Sequence, residues 1–299
     1  MSPAAAPPSR WRRHFAWWSD LNAATVRADL QAALLAAVLV LPQGVAFASL
    51  AGLPLAWGLY AAVVPTAVAA LAGSSRHVLT GPTNAVSLLL AASLAPLAAA
   101  GSAEYLRLAL VLTLMVGAMQ LALAVLRLGS LTHFISPSVL LGFTGGAAVL
   151  IAWHAGRALF EPGGQALHGW AVAATTLAVA VLLRWRWRRG PGLLLALVAG
   201  TALALAAGWA VPAIGALPAA LPPFAPPAFG VADVSRLATP ALALTIVALG
   251  QSIAVAKALA SRSGQLLDVN RECLGQGLAN LAGGLCQGFV GCGSINRSM

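Results

Sequence analysis

Charged side chains are scarce in this sequence. Its 299 residues include 17 basic and 7 acidic ones, or 8% charged, whereas a typical soluble domain is about a quarter charged. So few charges cannot cover a soluble protein of this length, which excludes an ordinary globular enzyme. The net charge of +10 does not indicate a nucleic-acid binder, because the basic residues punctuate long apolar runs. With 60% hydrophobic residues, the sequence predicts an all-α polytopic membrane protein in a lipid bilayer.

Cysteine is equally scarce, and its spacing excludes the usual metal and redox sites. The three cysteines are Cys273, Cys286 and Cys292, and they form no Cys-x-x-Cys pair or Cys/His cluster. The acidic residues fall at span ends or in loops, and no histidine has an evident orienting carboxylate. The sequence therefore predicts no cofactor, no metal site and no enzymatic activity.

Charge-free runs define the membrane-spanning segments. Residues 30–75 carry no formal charge over 46 positions, which is enough for two crossings of about 20 residues each. Shorter runs of the same kind continue along the chain. We predict nine segments and the start of a tenth near residue 293; the nine are 28–48, 55–73, 78–99, 105–127, 136–158, 168–184, 191–210, 237–260 and 270–290.

The distribution of Lys and Arg predicts the orientation of these segments. If the N-terminus is cytoplasmic and the segments alternate, thirteen basic residues fall on the inner side and three on the outer side. We therefore expect an integral protein of the bacterial inner membrane with a cytoplasmic N-terminus.

Segments three and ten do not have the pattern of plain helices. Segment three begins with a β-favouring stretch, 77–80, followed by the break 81–84 (GPTN) and an apolar helix from Ala85. The end of the chain repeats the design, with the break 291–296 and a helix expected from Arg297. Interrupted segments at matching places in two repeats point to a binding site near the middle of the membrane.

The chemistry of such a site favours an anion. Helix N-termini present free N–H groups and the positive end of the helix dipole, and Arg297 adds a full positive charge. A charge at that depth is costly without a compensating partner. In segment one, Gln43 and Phe47 follow Pro42 on one helical face. Pro42 has a simple packing explanation, whereas a buried amide at Gln43 needs a partner.

A set of motifs in this order resembles the sulfate permease (SulP) family. Together they cover about 30–299, nearly the whole chain, and they are far more specific as a set than singly. The matching stretches are 41–54 (LPQGVAFASLAGLP), 58–60 (GLY), 73–77 (GSSRH), 81–83 (GPT), 136–146 (SPSVLLGFTGG), 253–259 (IAVAKAL), 268–272 (DVNRE), 275–280 (GQGLAN) and 293–298 (GSINRS).

The resemblance implies a truncated seven-plus-seven inverted-repeat transporter fold, with broken helices and short strands at segments three and ten. It divides the chain into a cytoplasmic segment (1–27), a first repeat (28–210), a Pro-rich outer loop (211–236) and the start of a second repeat (237–299). It also implies secondary transport of an inorganic anion, such as sulfate, bicarbonate or chloride, and allows a homodimer. The implied anion-binding residues are Gln43, Phe47, Thr83, Asn84, Asn296 and Arg297.

Two departures from the family pattern leave alternatives open. Family members continue past the position of Met299 with four more spans and a STAS domain. We therefore expect a fragment or truncated product, and the gene sequence after that codon distinguishes the two. Gln251 stands where many bacterial members carry a glutamate linked to ion coupling, and an amide does not titrate near pH 7.

The alternative function is a membrane protein without transport activity, or a half-unit needing a partner. Nucleobase–cation symporters, of the same fold, are less favoured because Gln251 and Asn296 replace the carboxylates they need.

Overall fold

The apolar runs of the sequence form helices. The computed structural model describes residues 22–128, 166–186, 192–209 and 221–298, together with isolated helical positions between 142 and 156. Predicted segment five, 136–158, lies almost wholly outside the described residues. The described elements are α1 (Ala23–Leu50), α2 (Leu55–Ala72), β1 (Thr80–Gly81), α3 (Asn84–Leu94), α4 (Ala103–Val125), α5 (Ala166–Arg186), α6 (Gly192–Ala206), α7 (Val231–Ser263), α8 (Val269–Leu285), β2 (Cys292–Gly293) and α9 (Ile295–Ser298).

The helices match the charge-free runs closely. Among the described residues, five helical stretches are long and apolar enough to cross a membrane; they lie in α1, α2, α4, α5 and α7. Helix α3 has 11 residues, so it is about 16 Å long and spans about half of a hydrocarbon core of roughly 30 Å. The expectation of an interrupted third segment is therefore confirmed.

Helix boundaries differ from the prediction where polar caps intervene. Helix α1 begins at Ala23 rather than 28, because the side chains of Asn22 and Thr25 accept each other's backbone N–H, both at 2.9 Å. The Pro-rich loop was predicted to run to 236, but α7 begins at Val231. There the Asp233 carboxylate accepts the N–H of Gly230 at 3.0 Å and caps the first turn.

The ninth segment also ends earlier than predicted. Helix α8 stops at Leu285 instead of 290, and Gln287 adopts a left-handed conformation with φ of 54°. The N–H of Gly288 then donates to the carbonyl of Gly283 at 2.7 Å, which closes the helix end. Residues 288–291 are left free to approach the rest of the fold in an irregular conformation.

Two short strands join segments three and ten. Strands β1 and β2 pair antiparallel, with Thr80 opposite Gly293 and Gly81 opposite Cys292. One further backbone bond extends the pair, from the N–H of Ser294 to the carbonyl of Leu79 at 3.1 Å. The sequence predicts extended residues at 77–80 and 288–290. Strand β1 begins at the end of the first stretch, whereas β2 lies within the predicted break 291–296, where Cys292 and Gly293 pair with β1.

The buried core surrounds this strand pair. It is built from apolar side chains of α2, α3, α4 and α7 and from the stretch that leads into β2. Burial of such side chains stabilises the packing against the strands. The largest fully buried members are Leu90, Leu94, Tyr105, Leu108, Leu112, Leu237, Leu244 and Phe289.

Candidate functional site

The strand pair brings the starts of α3 and α9 to one place. Thr83 is the N-cap residue of α3 and is buried, with 3% of its surface exposed. Its hydroxyl does not cap its own helix but lies 3.2 Å from the thiol of Cys292 on β2. The next residue, Asn84, accepts the N–H of Ala85 through its side-chain oxygen at 2.8 Å. A buried helix N-terminus, with its positive dipole end, therefore faces the second broken segment.

Arg297 reaches back across the strands to β1. A Cβ atom placed on Gly81 would lie 2.9 Å from Arg297 Nη1, so the guanidinium lies directly against the glycine backbone. Among the described residues, Arg297 Nε and Nη2 are buried and have no hydrogen-bond partner. Burying a charged donor without a partner is costly. The arrangement is therefore suited to an anion that accepts these N–H groups.

Helix α9 begins earlier than the sequence predicted. The expectation was a helix from Arg297, but helical residues start at Ile295. The first hydrogen bond of this helix runs from the N–H of Ser298 to the carbonyl of Ser294 at 3.1 Å, so Ser294 is the residue that precedes the helix. Asn296 therefore lies within the helix, and its side chain is outside the described part of the structure.

The predicted residues of segment one lie on α1, one turn apart. Gln43 and Phe47 are half-buried, and the Phe47 ring packs against the core. Among the described residues, the Gln43 amide has no hydrogen bond to Thr83 or Arg297. The roles of Gln43 and Phe47 in anion binding therefore remain predictions.

Gln251 lies beside the strand pair, on α7. Its side-chain oxygen accepts a weak hydrogen bond from the Cys292 thiol at 3.5 Å. The next residue, Ser252, holds the same strand, because its hydroxyl accepts the N–H of Gly293 at 2.8 Å. The predicted coupling position is therefore connected through one thiol to Thr83.

The sequence reasoning missed a polar stripe on α8, made of Glu272, Gln276 and Asn280. The three are spaced by four residues, so they lie on one helical face, and each is at most 2% exposed. The sequence places Glu272 at a span end, near the start of its helix, whereas in the structure its side chain is buried. The missed signal was this i, i+4, i+8 spacing of polar residues on one helical face.

Each member of the polar stripe has defined partners. Glu272 Oε2 accepts the N–H groups of Ser74 and Ser75, both at 3.0 Å, in the loop that precedes β1. Gln276 Nε2 donates to Thr80 Oγ1 on β1 at 2.8 Å and to Glu272 Oε1 at 3.1 Å.

Asn280 holds the residue that precedes β2. Its Oδ1 accepts the N–H of Gly291 at 2.8 Å, and its Nδ2 donates to the carbonyl of the same residue at 3.1 Å. The same Nδ2 also donates to Gln120 Oε1 on α4 at 2.8 Å. Among the described residues there is no group of three or more His, Cys, Asp and Glu residues that could hold a metal ion.

Comparison with known sequences relates the chain to a transporter family. The model of the sulfate permease family matches residues 26–162 and 152–299. A probable sulfate transporter of Mycobacterium tuberculosis (strain H37Rv) is 36% identical over 296 residues, which cover 91% of this chain and 52% of that protein. Sulfate transporter 4.1, chloroplastic, of Arabidopsis thaliana is 31% identical over 320 residues, which cover 98% of this chain and 46% of that protein. The chain spans about half the length of the curated relatives it matches.

Solved structures show the same fold. The transmembrane domain of a cyanobacterium bicarbonate transporter, BicA, aligns with a TM-score of 0.81 at 24% identity, covering 93% of this chain and 76% of that chain. Murine Solute Carrier 26 family member A9, an anion transporter in the inward-facing state, aligns with a TM-score of 0.77 at 20% identity, covering 100% of this chain and 57% of that chain. The predicted all-α membrane fold is confirmed.

Proposed function

The chain belongs to the sulfate permease family, and we propose that it carries out secondary transport of an inorganic anion. It is an integral membrane protein, and its relatives are named as transporters, in agreement with the prediction that it is not an enzyme. Sulfate is the first substrate proposed, because the relatives at 36% and 31% identity are named as sulfate transporters. Bicarbonate and chloride are further candidates, and the bicarbonate transporter of similar fold supports the first of these.

The observation that carries the proposal is the buried guanidinium of Arg297. Its Nε and Nη2 are without a partner among the described residues, next to the backbone of Gly81 and near the buried start of α3. In a medium of low dielectric, a positive charge and a helix dipole attract an anion more strongly than they do in water. Hydrogen bonds from an ionised donor are also about twice as strong as neutral ones.

Five other residues complete the proposed site. Thr83 and Asn84 contribute from the start of α3, and Asn296 contributes from α9. Gln43 contributes an amide and Phe47 an apolar wall from α1. These side chains distinguish between anions by size and hydrogen bonding, while Arg297 supplies the attraction that all anions share.

The proposed mechanism is a movement of a core domain against a gate domain. In this proposal, residues 28–210 form the first of two inverted repeats, and 237–299 begin the second. The strand pair and the anion site travel with the core, in an elevator-like or rocking motion. We further propose a cytoplasmic N-terminus, a location in the bacterial inner membrane, and assembly as a homodimer.

Uptake into proteoliposomes tests the proposed function. The protein is produced at the full length that its gene encodes, and accumulation of labelled sulfate, labelled bicarbonate and labelled chloride is measured in separate assays. We expect uptake above that of protein-free liposomes, and a large loss of uptake in Arg297→Ala. Uptake no greater than in protein-free liposomes for all three anions would favour the alternative, a membrane protein without transport activity.

A further inference from the structure

The polar stripe of α8 holds both broken segments from one helix. Gln276 is bonded to β1 through the Thr80 hydroxyl, and Asn280 is bonded to both backbone groups of Gly291, immediately before β2. Glu272 fixes the loop that leads into β1. Burying three polar side chains is unfavourable unless their hydrogen bonds are made, and here each has specific partners.

We propose that the polar stripe, Glu272, Gln276 and Asn280, is a positioning device that sets the placement of the start of α3 relative to Arg297, and thereby the affinity for the anion. The inference rests on the proposed function, because it assigns the stripe a role in that same site. None of the three residues is a ligand in this account, since each acts through the strand or loop to which it is bonded.

The strand pair alone is too short to fix this placement. Each strand has two residues. Among the described residues, the pairing is extended by the backbone bond from Ser294 to Leu79 and by a bond from the N–H of Leu79 to the hydroxyl of Ser298 at 2.9 Å. Register in so short a pair is weakly specified, and a slip of one residue would turn each side chain to the opposite face. Helix α8 is rigid on this scale, and Gln276 and Asn280 are separated by one turn. Bonds from these two side chains reach both segments from one helix, and they add to the bonds that Ser252 and Ser298 make to the same two segments.

Glu272 determines which way the Gln276 amide points. The carboxylate accepts from the N–H groups of Ser74 and Ser75 and from Gln276 Nε2, so it presents only acceptors to that amide. Gln276 must then turn its NH₂ group toward both Glu272 and Thr80. Its Oε1 is buried without a partner among the described residues. The Gln276 NH₂ group thus bonds both Glu272 and Thr80, while the Oε1 acceptor of the same amide makes no hydrogen bond to the described residues.

The central test breaks the bond between Gln276 and Thr80 from each end. Gln276→Met keeps the length of the side chain and removes the donor, and Thr80→Val keeps the shape and removes the acceptor. Sulfate affinity is measured by calorimetry on the detergent-solubilised protein at the full length that its gene encodes. We expect each variant to weaken sulfate binding about tenfold, the effect of losing one buried hydrogen bond from the positioning of the site.

A double-mutant cycle and a matched control separate positioning from general destabilisation. Both substitutions break the bond between Gln276 and Thr80, and Gln276→Met also removes the bond to Glu272. The double variant should therefore bind sulfate no more weakly than Gln276→Met alone. The control is Thr113→Val, which removes a fully buried hydroxyl on α4; among the described residues, this hydroxyl bonds only to Ala109 of its own helix. Thr113→Val should lower the melting temperature without changing the sulfate affinity.

The amide orientation gives a further readout. In Glu272→Gln, the new amide oxygen can still accept from Ser74 and Ser75, and Gln276 can rotate so that its Oε1 accepts from the new NH₂ group. The Thr80 hydroxyl can then donate to the same oxygen. We therefore expect Glu272→Gln to retain sulfate affinity and Glu272→Leu to lose it, although both remove the negative charge.

The outcomes distinguish this inference from the proposed function. If the unaltered protein binds neither sulfate, bicarbonate nor chloride, the proposed function fails and the inference falls with it. If the unaltered protein binds sulfate and both Gln276→Met and Thr80→Val bind it equally well, the inference alone is overturned. If one of the two does not fold, the other still tests the same bond. A loss of affinity in Thr113→Val as large as in Gln276→Met would also overturn it.

Discussion

Arg297 shows how one side chain defines this site. Its Nη1 lies against Gly81, while Nε and Nη2 are buried without a partner among the described residues. A Cβ at position 81 would lie 2.9 Å from Nη1, so any other residue there would shift the guanidinium from this position. A buried charge without a partner is expected to be functional. An anion in the site would satisfy the two unpaired donor groups.

Loss of Arg297 should weaken anion binding more than loss of Gln43. Hydrogen bonds that involve a charged group contribute ~1.5–3 kcal/mol and neutral ones ~0.5–1.5 kcal/mol. We therefore expect Arg297→Ala to reduce sulfate affinity by one to two powers of ten, and Gln43→Ala by about tenfold or less. Calorimetric titration with sulfate measures both.

Arg236→Ala is the matched control for this comparison, since Arg236 is an exposed arginine near the start of α7. The sulfate affinity of the Arg236→Ala variant should equal that of the unaltered protein. Unchanged affinity in Arg297→Ala would reject a role for that arginine. Unchanged affinity in Gln43→Ala as well would move the site away from α1 and α9.

The side chain of Gln251 is neutral, and the substitution Gln251→Glu would place a titrating carboxyl group at the same position. Gln251 is bonded to Cys292, which lies against Thr83, so a carboxylate at 251 would lie close to the bound anion. In Gln251→Glu, deprotonation would repel the anion. We therefore expect affinity to be highest at low pH and to fall as the pH rises through the pKa of the new carboxyl group.

The unaltered protein should show no titration from position 251. Sulfate affinity measured across a pH series, for the unaltered protein and for Gln251→Glu, tests the sign of the effect. Gln251→Ala is the control, because it removes the amide without adding a charge. Steep proton-driven uptake that Gln251→Ala abolishes would contradict this interpretation of the position.

At the scale of whole elements, the packing of α8 depends on small residues. A Cβ on Gly275 would lie 2.6 Å from the Cα and 2.7 Å from the N of Gly73 at the end of α2. On its other side, Gly277 has a similar close approach to α4, where a Cβ would lie 2.7 Å from the backbone N of Leu121. These contacts are with backbone atoms, so a side chain cannot be accommodated without moving a helix.

Gly275→Ala should therefore destabilise the protein. Overpacking of a close-packed contact typically costs about 1–3 kcal/mol. We expect a lower melting temperature for the detergent-solubilised variant, measured by loss of helical circular dichroism. Gly230→Ala is the control, because a Cβ on that glycine has nothing within 4 Å. Equal melting temperatures for the two variants would show that α8 can shift to admit a methyl group.

The elements that the sequence predicts well are those specified by hydropathy. Segment 55–73 became α2 at Leu55–Ala72, and segment 168–184 lies within α5. Long apolar runs have few alternatives in a membrane, where every backbone group must be satisfied within the segment. Boundaries were missed where a polar cap extends the helix, as Asp233 does at the start of α7.

The candidate site was predicted less completely, for a physical reason. The glycine breaks identified both interrupted segments, but the pairing of β1 with β2 joins residues far apart in the chain. Two-residue strands carry too short a pattern for their partners to be found from sequence. The stretch that contains Glu272, Gln276 and Asn280 contributed to the family resemblance. Its role became evident only when the partners in β1 and before β2 were known.

At the scale of the whole molecule, charge is distributed asymmetrically between the two ends of the helices. Arg76 follows α2, Arg127 follows α4, and Arg186 ends α5, all on the side predicted to be cytoplasmic. Arg107 lies near the opposite end, where it bonds Glu104 and Asp233. Alternating helices would therefore place most of the basic residues in the cytoplasm, as the positive-inside rule requires.

This distribution predicts that Arg184 and Arg186 lie on the same cytoplasmic side as residues 257–271. The measurement is labelling by a membrane-impermeant maleimide in a background where Cys273, Cys286 and Cys292 are replaced by alanine. A cysteine introduced as Arg186→Cys, at an exposed position, should be labelled only after the cells are permeabilised. The matched control is Ala99→Cys, exposed in the turn between α3 and α4 on the predicted outer side, which should be labelled in intact cells. Labelling of Arg186→Cys in intact cells would contradict the predicted cytoplasmic side of this residue. It would indicate a miscounted span before α5, because one miscounted span reverses the direction of every helix that follows it.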